Sequence, residues 1–230
     1  MRTLLHLFLC FMFTSSLFSH AAGIQIGRTR IVYNADKKEI SLPLVNKDQA
    51  LPWLVQSWTV TEDGKTRGPF IITPPLFRLD PQKEQSLRIA WNGTALPDDR
   101  ETIFYMNIRT IPATAKEDSD KNVMRLIYKT RLKLFWRPGH LKGTPDDACK
   151  NLRFTRRNNV LLIVNDGAYY TTFDSLHVGN RSLDKADMVA PASTASVEFP
   201  NAAAGSRVTW RCITDYGNAS EQYASTLVQD

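Results

Sequence analysis

The chain has 230 residues, 43% hydrophobic and 23% charged, a globular balance with enough length to bury a core and to make one or two domains. Its formal charge of +6 fits a nucleic-acid, anionic-membrane or acidic-protein partner, and equally a soluble protein with no charged partner at all. The absence of helical repeats, heptads and low-complexity tracts excludes coiled-coil and repeat architectures.

Met1 and Arg2 precede the apolar run LLHLFLCFMF, and small residues follow, ending in Ser19-His20-Ala21. A charged start, a short apolar core and a small-x-small site predict a secretory signal peptide over residues 1–21, cut after Ala21. The run is short for a membrane span and no later stretch is long enough, so the expected mature protein is exported and not inserted in a membrane. Cleavage removes one arginine and no acid, taking the charge from +6 to +5. It also removes Cys10, leaving Cys149 and Cys212. An even pair in an exported chain predicts a disulfide, worth about 4 kcal/mol by loop closure. No C-x-x-C or H-x-x-x-H spacing supports a metal site with His140 or His177 as the alternative, and neither metal nor cofactor is expected.

The mature sequence is rich in strand signals and poor in helix signals. IQIGRTRIVY alternates up to a turn at Asn34–Asp36, and EISLPLVN places Ile40, Leu42 and Leu44 on one face. PWLVQSWTVT runs to a turn at Glu62-Asp63-Gly64. GPFIITPPLFRL is interrupted by Pro74-Pro75, which demands an edge or a sheet-switching bend. QSLRIAW ends at Asn92-Gly93, and TIFYMNIRTI follows.

The seventh strand, within NVMRLIYKTRLKLFWRP, carries Met124, Leu126, Tyr128, Leu132, Leu134 and Trp136 on even positions, with Arg125, Lys129, Arg131, Lys133 and Arg137 on odd ones. It reads as one long strand with an apolar and a cationic face. Seven short strands separated by turn residues predict an antiparallel sandwich of immunoglobulin type. RPGHLKGTPDD then reads as a linker near residues 138–147. Beyond it NLRFTR, NVLLIVN, YYTTFDSLHV, ASVEFP, RVTWRCIT and YASTLVQ predict a smaller sandwich, with a tight hairpin at Asn158-Asn159. The expected organisation is all-β: two sandwiches joined at an angle, over residues 22–140 and 141–230, the predicted disulfide tying the first strand of the second sandwich to a late one.

Catalytic chemistry finds no footing. There is no G-x-S-x-G, phosphate-binding glycine loop or H-E-x-x-H, and Asp98-Asp99 and Asp146-Asp147 sit in turn contexts where Asp serves the backbone. Binding has more support. Arg28 and Arg30 alternate in GRTRIVY, and in a sandwich the first and last strands can lie side by side, bringing Arg30 near Lys133. Two such cations either stay solvated or share an anion.

LPDDRETIFYMNIRTIP (residues 96–112), RTRIVY, TPPLFRLDP, TRLKLFWRP and ITDYG stand in an order that resembles the periplasmic chaperones of the chaperone–usher pathway, which fold and deliver pilus subunits. The resemblance spans the mature chain and is looser in the second sandwich, mainly YYTTF and DYG. It implies two immunoglobulin-like domains joined at an angle and a non-enzymatic role with no cofactor. It implies that Arg30 and Lys133 anchor the C-terminal carboxylate of a pilus subunit, where charge-assisted hydrogen bonds suit the ligand. It also implies that Met124, Leu126 and Tyr128 enter the groove of a subunit lacking its final strand, as donor-strand residues. Residue pattern alone would assign those three to the home core.

Glu101, Arg137 and Asp215 match the charged trio that fixes the angle between the family's domains; surface ion pairing is the plainer alternative. The short Pro112–Val123 connection and the lack of cysteine in the first sandwich resemble the family's short-loop branch. The implied partners are pilus or fimbrial subunits and an outer-membrane usher, with no nucleic acid, in the periplasm. An exposed strand also allows a self-capped dimer of the free protein. An exported adhesion or receptor module on the same sandwiches is the alternative, and it would use loops rather than Arg30 and Lys133.

Overall fold

A computed structural model describes residues 23–114, 124, 126–184, 186–200 and 205–229. The predicted signal peptide and Arg125 lie outside these residues, as does most of the Pro112–Val123 connection. No described helix is long and apolar enough to cross a membrane.

The first sandwich contains β1 (Ile24–Ile26), β2 (Arg30–Asn34), β3 (Ile40–Asn46), β4 (Trp53–Val60), β5 (Phe70–Thr73), β6 (Leu76–Leu79), β7 (Glu84–Trp91), β8 (Thr102–Pro112) and β9 (Tyr128–Arg137). One sheet has the order β1-β3-β7-β5, the other β2-β9-β8-β4-β6. Leu42, Leu44, Leu87 and Ile89 of the first meet Ile31, Val55, Met106, Ile108 and Leu134 of the second, all fully buried. Alternation thus does what period-2 patterning predicts: one side of each strand fills the core.

Two strands expected to be single are each divided between the sheets. Pro74-Pro75 is the bend that sends β5 to β7 and β6 to β4. IQIGRTRIVY also breaks, which the alternation did not reveal. β1 pairs β3 in one sheet, whereas β2 pairs β9 in the other. The pivot is Gly27, whose N–H donates to the Pro43 carbonyl at 2.9 Å. A Cβ there would sit 2.6 Å from Pro43 Cγ, so only glycine permits the approach.

The second sandwich contains α1 (Pro145–Lys150) and β10 (Arg153–Arg157), β11 (Val160–Asn165), β12 (Thr171–Val178), β13 (Arg181–Ser182), β14 (Met188–Val189), β15 (Ser193–Glu198), β16 (Arg207–Cys212), β17 (Tyr223–Thr226) and β18 (Val228–Gln229). Its sheets run β15-β11-β10-β18 and β13-β12-β16-β17, with β14 on β12. Asn158, at φ 55°, makes the hairpin between β10 and β11. The helix corrects the reading of residues 138–147 as linker throughout. Thr144 caps it, accepting from Asp147 N, while the Asp147 carboxylate accepts from Thr144 N, so the supposed turn aspartate closes a capping box. Cys149 is on this helix, so the Cys149–Cys212 disulfide ties α1, rather than a first strand, to the end of β16.

Candidate functional site

β9 is the element on which the site is built, and its two edges are covered unequally. β8 pairs it along its whole length, from Thr110↔Tyr128 to Thr102↔Trp136. β2 pairs it, in parallel, only from Arg30↔Lys133 to Asn34↔Arg137. From Tyr128 to Leu132 the second edge of β9 therefore has no strand partner among the described residues, because the chain before Arg30 has left for the other sheet at Gly27.

The even face of β9 divides at the same place. Leu132, Leu134 and Trp136 are buried in the home core, whereas Tyr128, Leu126 and Met124 are 53%, 55% and 88% exposed. Home-core packing, the reading from pattern alone, does not apply to these three. The long strand expected from NVMRLIYK begins only at Tyr128. In the β8 register the residue opposite Leu126 would be Pro112, which has no N–H to donate, and pairing stops short of it.

From Lys133 onward the odd face of β9 turns to the second sandwich. Lys133 and Arg30 are cross-strand partners on that face. Arg28, expected beside them, precedes β2 and is exposed. The Arg30 side chain lies over the Phe135 ring, 5.8 Å from Cζ to the centroid, and its Nη1 donates to the Ile213 carbonyl at 2.9 Å. Arg30 is 8% exposed, and burial lowers its pKa against the raising effect of Asp215, Asp187 and Glu101. Lys133 Nζ donates to Asp187 Oδ1 at 2.8 Å. Arg30, Phe135 and Ile213 line a cleft of about 280 Å³ between the sandwiches, together with Glu101, Arg137 and Asp215.

Glu101, Arg137 and Asp215 come together in that cleft. Arg137 Nε donates to Glu101 Oε1 at 2.6 Å, and Nη1 and Nη2 donate to the two Asp215 oxygens at 2.6 and 2.8 Å. The second Glu101 oxygen accepts from Tyr170 N at 2.8 Å, and Glu101 N donates to the Ala168 carbonyl at 2.9 Å. One residue of the first sandwich, through its carboxylate and its backbone N–H, thus holds two points of the second. Burial pushes the Glu101 carboxyl up, opposed by Arg137 and the Tyr170 N–H. Burial would lower the Arg137 pKa, but its hydrogen bonds to Asp215 and the charges of Glu101 and Asp215 outweigh it and raise the pKa. The geometry favours the ionised form of Glu101, because both of its oxygens face N–H donors.

Close packing completes the junction. Gly217, at φ +91°, would place a Cβ 2.2 Å from Thr29 Oγ1. We expect Gly217→Ala to lower stability by about 1–3 kcal/mol, from the left-handed backbone and the contact together. Urea unfolding measures it; an unchanged midpoint would mean that the two loops separate freely.

Two models of one protein family divide the chain between them: "Pili and flagellar-assembly chaperone, PapD N-terminal domain" matches residues 23–142, and "Pili assembly chaperone PapD, C-terminal domain" matches residues 147–224. The chain belongs to the PapD family of pilus-assembly chaperones. FimC, a chaperone protein of Escherichia coli K12, is 41% identical over 197 residues, covering 85% of this chain and 81% of its own. The probable fimbrial chaperone LpfB of Escherichia coli O157:H7 is 37% identical over 208 residues, 90% of each chain.

Among solved structures, the Escherichia coli chaperone DraB superposes with a TM-score of 0.79 at 36% identity, covering 90% of this chain and 97% of DraB. A second match comes from the Salmonella enterica SafA pilin in complex with the SafB chaperone, with a TM-score of 0.82 at 31% identity, covering 90% of this chain and 97% of the matched one. The two sandwiches are accordingly the immunoglobulin-like domains of this chaperone family.

Sequence reasoning missed several groups of the junction. Phe135 was legible in principle, as the apolar residue on the odd face of β9. Asp187, Tyr170 N–H and the Ile213 carbonyl carried no local signal, since each acts by its position in the fold.

Proposed function

We propose that this chaperone works in the periplasm, binds pilus or fimbrial subunits by lending them a strand, and delivers them to an outer-membrane usher. The observation that carries the reading is the unpaired edge of β9 from Tyr128 to Leu132, continued outward by an exposed apolar stripe and closed inward by the Arg30–Lys133 rung. A subunit strand seated there would run parallel to β9, in line with β2, and its terminal carboxylate would meet the two cations. Met124, Leu126 and Tyr128 would fill the subunit's open core, which is β-augmentation combined with side-chain exchange. In the free protein the same edge supports a self-capped dimer. The trio of Glu101, Arg137 and Asp215 would hold the second domain where it completes the cleft.

Leu126 gives a test. Fully burying a leucine contributes roughly 1.5–3 kcal/mol, so Leu126→Glu should reduce subunit capture by at least about tenfold. Being 55% exposed, Leu126 should cost the free chaperone little stability when replaced. Co-expression with a subunit, followed by co-purification and a melting curve of the free variant, reads both. A large drop in melting temperature would put Leu126 in the home core and defeat the strand-lending role.

A further inference from the structure

The Arg30–Lys133 rung does not stand open. Arg30 is engaged by a backbone carbonyl, Ile213, whereas Lys133 is engaged by a carboxylate, that of Asp187. Asp187 lies between β13 and β14 of the second sandwich, and its own carbonyl accepts from Phe173 N on β12 at 2.9 Å, which fixes the backbone from which it reaches across. The lysine side chain is 19% exposed, the aspartate 74%. A β-carboxylate and a chain terminus are the same ligand chemically, so the free protein already presents to Lys133 the group that an incoming chain end would present.

We propose that Asp187 is a resident competitor for the subunit's terminal carboxylate: it neutralises Lys133 in the free chaperone and must yield the ammonium when a client docks. This rests on the anchoring role of Lys133. Two consequences follow from the exposures. The pair is weak, because one partner stands mostly in water, so displacement reduces client affinity only about two- to fivefold. The competition also sets a threshold. A ligand offering only a carboxylate exchanges one ion pair for another and gains little. A ligand that also occupies the β9 edge gains strand pairing and apolar contacts that Asp187 cannot supply. Asp187 therefore lowers the affinity of every carboxylate ligand by the same factor, which takes weakly held anions below useful occupancy while a client held also by the β9 edge stays bound.

The test uses the full mature protein and an eight-residue peptide of alternating threonine and valine, as the free acid and as the C-terminal amide, tethered by its N-terminus for equilibrium binding. Wild type should prefer the acid. Asp187→Asn should widen that preference about two- to fivefold, and less so at high salt. Asp184→Asn, the same charge change nearby in that loop where the side chain instead accepts from Ser182 Oγ, should leave it unchanged. In a Lys133→Met background the Asp187 substitution should have no effect. An unchanged or narrowed preference in Asp187→Asn, or an equal gain with Lys133→Met, overturns the competitor role while anchoring stands. Failure of wild type to distinguish acid from amide overturns anchoring itself, and the competitor role with it.

Discussion

Replacing Arg30 or Lys133 by alanine is expected to abolish recovery of chaperone–subunit complexes from periplasmic extracts while leaving the chaperone folded. The two side chains occupy one rung at the place where β2 begins, so each substitution would remove half of the proposed site for a single anion. Truncating one partner of such a desolvated charge pair typically costs 2–5 kcal/mol, a loss of roughly 30- to 5,000-fold in affinity. Lys133→Ala is the cleaner variant, since its ammonium is paired with a largely exposed aspartate in the free protein. Arg30→Ala also strips a guanidinium from the Phe135 ring and from the Ile213 carbonyl, so part of its effect passes through the junction. Circular dichroism and melting curves separate the two contributions. Undiminished complex in both variants would end the anchoring idea.

The second large effect is expected at Arg137. The Glu101 side chain is 2% exposed, and Arg137 is the cation that faces it. Arg137→Met would leave a buried carboxylate with the Tyr170 N–H but no counter-charge, and breaking a buried pair from one side costs about 3–5 kcal/mol. Asp215 adds less, because its side chain is 36% exposed and solvent screens it. For a protein of this size the loss corresponds to a fall in melting temperature of roughly 6–20 °C. The companion variant Arg137→Met with Glu101→Gln should recover part of it, since no buried charge is then left alone. A fall below about 2 °C in the single variant would mean that the trio is a surface pairing after all.

Much of the fold was legible because strands declare themselves by alternation, and Leu42, Leu44, Leu132 and Leu134 fall inside as their spacing requires. What alternation does not encode is which sheet a strand joins. Pro74-Pro75 announces its switch through the missing N–H groups, whereas Gly27 sits silently in an alternating run. Its role depends on Pro43, sixteen positions away. The six-residue α1 is too short for a helical period, although Thr144 and Asp147 carried the capping signature. The candidate site followed the same division. Arg30 and Lys133 could be paired through strand order, and the exposed stripe could be listed residue by residue but not distinguished from core. Glu101, Arg137 and Asp215 were joined only by resemblance, because no local spacing links charges so far apart. Asp187 had no signal, being an ordinary loop acid until the sandwiches meet.

The abrupt start of β2 gives the exposed edge of β9 a built-in stop. A strand entering alongside Tyr128 to Leu132 advances about 3.3 Å per residue and then meets, head-on, the backbone of Arg30. No lateral room remains on that edge for a further residue, so under the proposed binding mode the groove would measure where a polypeptide finishes. A subunit carrying extra residues after its last strand could be seated only by bulging out of register or by forgoing the two cations. The chaperone would thereby inspect its clients for completeness: a chain whose synthesis ended early falls short of the rung, and one that reads through overshoots it.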